Sequence, residues 1–194
     1  MSVLVVLFLT AVLALFSGVY NQGKFARYIG ILGLLVALCV SFSPELAFFN
    51  QYKSMFDFNE NAALFTKISL VVTLLIFFLG SFAFNNHRSH QSELYSLMLF
   101  SLIGAVILFS FTNLVTLFLG IEILSIPLYV MAGSNKTDLR SNEASIKYFL
   151  MGAFATGFLL FGIALIYGST GSFDVHVINT FSIANPKDLM FVMG

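Results

Sequence analysis

Charge is what this sequence has least of. Lys, Arg, Asp and Glu make up 9% of its 194 residues, against about a quarter in an ordinary soluble domain. The formal net charge is +0, so nothing marks a surface for nucleic acid or for drawing in an acidic substrate. The single cysteine, Cys39, lies inside an apolar run. It excludes an internal disulfide, lacks the companions of a metal site and reads as a small core residue. There is no internal repeat, no Gly-rich phosphate loop, no nucleotide fingerprint and no metal-ligand cluster. His87 and His90 come nearest to one, but with no third ligand nearby they read as a solvated loop.

What is abundant is hydrocarbon. The chain is 59% hydrophobic, and its long apolar runs are those of an integral membrane protein. The sequence predicts an all-α polytopic protein with six complete transmembrane helices and the start of a seventh. The first run, Ser2 to Tyr20, has no basic residue before it and no clear cleavage site, so it reads as an uncleaved helix. The second runs from Arg27 to about Phe49 and exits at Pro44 and Glu45. Asn50 to Ala62 reads equally as a short hairpin or an interfacial turn. The third, Ala63 to Phe84, carries Lys67 near its start, where a lysine stem snorkels to the interface; the alternative is a place on a proton path.

Leu94 to Phe111 and the segment after Asn113 are joined by the tightest connection in the chain, so helices four and five are expected to be antiparallel neighbours. Asn142 is the expected cap of the sixth helix, which extends to about Tyr167, with Glu143 at its positive end. Ala153, Gly157 and Gly162 are small enough to admit a neighbouring helix. Gly168 to Asp188 is expected as a loop, and Leu189 to Gly194 opens another apolar run. Six residues cover about 9 Å of a core about 30 Å thick, so the sequence is expected to be the N-terminal part of a longer protein.

One carboxylate interrupts the oil. Asn113 to Gly133 spans a bilayer as a helix, and Glu122 lies roughly 13 Å from its start, near the midplane. An acidic side chain at that depth costs about 2.5–3.5 kcal/mol, so it is kept where it has a partner or a task. Ser125 and Tyr129 fall on the same helical face and can hold water or bond the carboxyl. Pro127 frees a carbonyl one turn earlier. Lys147, near the start of helix six, is a candidate second relay group that points either to the headgroups or towards helix five.

Basic residues set the expected orientation. Lys24, Arg27, Arg88, Lys136, Arg140 and Lys147 flank loops one, three and five, against Lys53, Lys67 and Lys187 for the even loops. The positive-inside rule then puts loops one, three and five in the cytoplasm and the N-terminus outside a bacterial plasma (inner) membrane.

The runs FLGIEILSIPLYVMAG and NEASIKYFLMGAFATGFLLFGIALIYGSTGS, within Leu94 to Gly171, closely resemble the antiporter-like membrane subunits of the proton-translocating NADH:quinone oxidoreductase, respiratory complex I, in their subunit N branch. The resemblance implies two inverted five-helix repeats preceded by three helices. Residues 1–93 would hold those three helices and the loop after them, and 94–194 the start of a truncated first repeat. It further implies that Glu122 matches the fifth-helix glutamate of the family, whose lysine partner on a broken seventh helix would lie after Gly194. The expected partners are the other membrane subunits of complex I, lipid, protons and water. No cofactor is expected in this chain; flavin, iron–sulfur clusters and quinone belong in or at other subunits. A subunit of a multisubunit sodium/proton antiporter and a structural membrane scaffold are the alternatives.

Overall fold

Within hydrocarbon every backbone polar group must be paired inside the segment, which leaves the helix as the local solution for these apolar runs. The computed structural model describes residues 2–19, 23–42, 55–83, 91–184 and 188–194, and among these no strand occurs. Its helices are α1 (Ser2–Val19), α2 (Gly23–Ser41), α3 (Glu60–Ala83), α4 (Gln91–Ser110), α5 (Leu114–Ala132), α6 (Leu139–Thr170), α7 (Val175–Ala184) and α8 (Leu189–Met193). Four of them, α3 to α6, are long and apolar enough to cross a membrane. The apolar stretches of α1 and α2 are shorter, Ser2–Gly18 and Phe25–Ser41. The expected exit at Pro44 and Glu45 and the His87/His90 loop lie outside the described residues.

α4 is the hub, packed against α1, α2, α3 and α5. Leu7, Ala11, Leu34, Leu70, Phe77, Leu99 and Val106 have no exposed surface and form its surroundings. Small residues on α1 and α2, such as Ala14 and Ala37, let these helices approach closely. α4 and α5 are neighbours, as the short connection between them predicts. The Asn113 side chain accepts from the Val115 backbone N–H at 2.8 Å and caps α5.

Three expectations change. α6 starts at Leu139, not after Asn142, because Asp138 caps it by accepting from the Arg140 N–H at 2.9 Å. Asn142 instead donates from its amide to the Lys136 carbonyl at 3.1 Å. α6 ends at Gly171, whose φ of 70° suits glycine. The segment expected as a loop after Gly168 contains α7, begun by Asp174, which accepts from the His176 N–H at 2.8 Å. Gly157 has nothing within 4 Å of where a Cβ would stand; Gly152 and Gly162 are the close-packed glycines of α6.

At one end of the bundle, backbone hydrogen bonds stitch three connections together. Asp57 donates to Ser110 (2.7 Å), Thr112 to Met55 (3.3 Å), Leu114 to Phe173 (2.9 Å) and Val175 to Thr112 (3.0 Å). This clasp fixes the entry of α5 against the exit of α6.

Candidate functional site

α5 lies between two neighbours that touch opposite faces. Towards α4 it presents Thr116, Gly120 and Pro127, all buried. A Cβ on Gly104 of α4 would stand 2.7 Å from the Leu124 Cα, and one on Gly120 would stand 2.9 Å from the Leu108 side chain. The two backbones are therefore nearly in contact.

Towards α6 the character changes. Ser141 donates to the Ala132 carbonyl and Ser145 to the Tyr129 carbonyl, each at 2.9 Å. The Tyr129 ring meets Tyr148 edge-on, with centroids 4.8 Å apart at 89°, and Phe149 at 5.9 Å. A methyl group on Gly152 would overlap the Tyr129 hydroxyl. Tyr129 is buried, with 8% of its surface exposed.

Glu122 stands seven residues before Tyr129, nearly aligned with it around the helix axis, so it too belongs to the α6 side. It is half-buried, and its carboxylate has no hydrogen bond or ion pair among the described residues. Ser125, on the same stripe, donates to the Ile121 carbonyl at 2.6 Å, leaving its oxygen free to accept. Pro127 faces α4 and has no N–H for the Ile123 carbonyl four residues back.

The structure thus brings Glu122, Ser125 and Tyr129 to one seam and leaves Lys147 out of it. The residues of α6 that meet α5 include Ser141, Ser145, Tyr148, Phe149 and Gly152. At 100° per residue, Lys147 lies on the opposite face. There it pairs with Glu143 one turn earlier, both side chains well exposed. Lys67 is half-buried, its ammonium 4.4 Å from the Phe42 ring centroid, a cation–π partner at the end of α2. Among the described residues no group of three His, Cys, Asp or Glu could hold a metal. An apolar cleft of about 530 Å³ between α3, α4 and α5, edged by Val72, Ser101 and Leu124, opens on the α4 side, and Glu122 does not line it.

Gly152 and Gly104 are the site residues that sequence reasoning missed. Their signal is not spacing within one helix but what faces them on another.

Four helices long and apolar enough to cross a membrane, one of them carrying a half-buried carboxylate, define a polytopic membrane protein. Residues 111–194 match the NADH:quinone oxidoreductase/Mrp antiporter transmembrane family. It is 43% identical over 168 residues to NADH-quinone oxidoreductase subunit N of Cytophaga hutchinsonii, covering 86% of this chain and 35% of that protein. It is 34% identical over 195 residues to the subunit N of Trichlorobacter lovleyi, covering 98% and 40%. Among solved structures, respiratory complex I from Thermus thermophilus with bound aureothin matches with a TM-score of 0.67 and 29% identity, over 89% of this chain and 38% of that one. The membrane-bound sulfane sulfur reductase, an archaeal respiratory membrane complex, shares the fold alone, with a TM-score of 0.75 at 22% identity, over 100% of this chain and 42% of that one. The chain spans roughly two fifths or less of the length of these relatives.

Proposed function

We propose that this chain is part of the proton-translocating machinery of a membrane-bound NADH:quinone oxidoreductase, with Glu122 as a proton-exchanging group. The observation that carries this reading is a carboxylate at mid-helix in α5, half-buried and without a protein partner among the described residues. Such a group in hydrocarbon is expensive unless water, a proton or a lysine meets it. When quinone reduction elsewhere in the complex shifts a positive charge near Glu122, the proton affinity of the carboxylate changes and a proton moves to a neighbouring water or side chain. The chain supplies the relay, and redox groups are held by other subunits.

Lys147, backed by Glu143 on the far face of α6, is the next proton-exchanging group on this reading. Six membrane spans, the odd loops on the cytoplasmic side and lateral contact with other membrane subunits complete the proposal. The names of the subunit N relatives favour this over a sodium/proton antiporter.

The test is Glu122→Gln in the full-length subunit, read as proton translocation per NADH oxidised in membrane vesicles. Assembly is expected to survive while translocation falls. Normal translocation in a fully assembled complex would make Glu122 a structural residue.

A further inference from the structure

Tyr129 carries a hydroxyl for which the fold has made room without giving it a bond. The side chain is more than nine-tenths buried, its hydroxyl has no hydrogen-bond partner among the described residues, and buried polar groups are normally paired. The room comes from Gly152: any larger residue there would collide with the hydroxyl, the ring carbon that bears it and the next carbon round. An apolar ring needs no such notch with a polar atom at its end. The arrangement is that of a hydroxyl held at a chosen point.

Where that point lies follows from the helix register. A Cβ on Gly133 would stand 2.8 Å from the Ser145 Cβ, and Ser145 bonds the Tyr129 carbonyl, so Ser145 lies beside Gly133 on antiparallel helices. Two turns onward along each helix, that register brings Gly152 opposite Ile126. Side chains on a helix lean towards its N-terminus, which for Tyr129 is the direction of Glu122. The hydroxyl at Gly152 therefore sits about one turn from its own Cα, near the depth of Ser125 and about one turn short of Glu122, on the same side of α5.

We propose that Tyr129 is a relay residue, linking Glu122 through one or two waters to the end of the bundle that carries Ser141 and Ser145. This rests on the reading of Glu122 as a proton-exchanging group. A proton reaching the Tyr129 oxygen from one side forms a new O–H bond while the original proton leaves to the water or carboxylate oxygen on the other. The tyrosine is neutral before and after, and no electron changes hands. The free lone pair of Ser125, at the depth of the hydroxyl, supplies a further polar partner that a water needs there.

The experiment sets Tyr129→Phe and Gly152→Ala beside Glu122→Gln in the full-length subunit within the whole complex. Translocation per NADH oxidised is measured together with the infrared carboxyl band that disappears in Glu122→Gln. Tyr129→Phe keeps the ring and removes only the oxygen, so the complex assembles. Translocation should fall about two- to tenfold, as for the loss of one hydrogen bond, and the Glu122 band should shift. Gly152→Ala keeps the oxygen and displaces it, and should give the same shift if it assembles; if it does not, Tyr129→Phe alone decides. If Glu122→Gln blocks translocation while Tyr129→Phe changes neither rate nor band, the relay role of Tyr129 is overturned and that of Glu122 stands. If Glu122→Gln translocates normally, both fall.

Discussion

The contact in which the backbone of one helix meets that of another, Gly104 against Leu124, gives the sharpest stability prediction. Gly104→Ala places a methyl 2.7 Å from the Leu124 Cα and 2.8 Å from its Cβ, where ordinary contact begins near 3.4 Å. The same methyl would stand 2.3 Å from the Leu124 backbone nitrogen; that backbone is held in a helix and cannot rotate away, so α4 and α5 must separate by about 1 Å. Overpacking of this kind costs about 1–3 kcal/mol. The same substitution gains about 0.5–1 kcal/mol because alanine is the better helix former. Gly157→Ala is the internal control, since nothing stands within 4 Å of that position, and there the gain comes alone. The helix-former gain cancels in the comparison, so Gly104→Ala should be about 1–3 kcal/mol less stable than Gly157→Ala. Denaturant titration of the purified full-length subunit in detergent measures the gap. Equal stabilities would mean that the α4–α5 approach is not the close contact described.

Two further substitutions probe α6. Asp138→Ala should cost about 1 kcal/mol and speed amide exchange in the first turn of α6, as loss of a cap does, whereas Asn142→Ala, which gives up one bond to a loop carbonyl, should change stability by less than about 0.5 kcal/mol; reversed effects would restore Asn142 as the cap. Lys147→Met should alter stability by less than about 0.5 kcal/mol, since the pair with Glu143 is exposed, yet lower proton translocation in the assembled complex; unchanged translocation would leave the pair as surface decoration.

The sequence made some of this plain and hid the rest for physical reasons. Apolar runs announce helices because hydrocarbon permits little else, and a lone glutamate within one stands out by its cost alone. The pairing of α4 with α5 was legible because the connection through Thr112 and Asn113 is too short for any other arrangement. The start of α6 was misplaced by one turn because Asp138 and Asn142 both suit a cap, and which one wins depends on the loop bond from Asn142 to Lys136. α7 was missed because a ten-residue helix is too short to read as a membrane span, while what starts it, the Asp174 side chain, looks like any loop aspartate. The direction of Lys147 was undecidable on one helix, since it turns on which face of α6 another helix covers.

The two faces of α5 do different work, and the division bears on where a proton can travel. Ordered water needs two to four polar partners. The α4 face offers Gly120, Leu124 and Pro127 against Gly104, with backbones too close for a solvent molecule between them. The α6 face offers the Glu122 carboxylate, the Ser125 oxygen and the Tyr129 hydroxyl in succession. On the reading proposed above, a proton path past Glu122 follows the α6 seam, because the cleft on the α4 side is lined mostly by apolar side chains and Glu122 does not line it. Substitutions on the two faces should then separate into classes: those at Gly104 or Gly120 act first on stability, and those at Tyr129 or Gly152 act first on translocation. A stability loss at Tyr129→Phe comparable to that at Gly104→Ala, with translocation untouched, would place the hydroxyl in the packing of the bundle and remove the distinction.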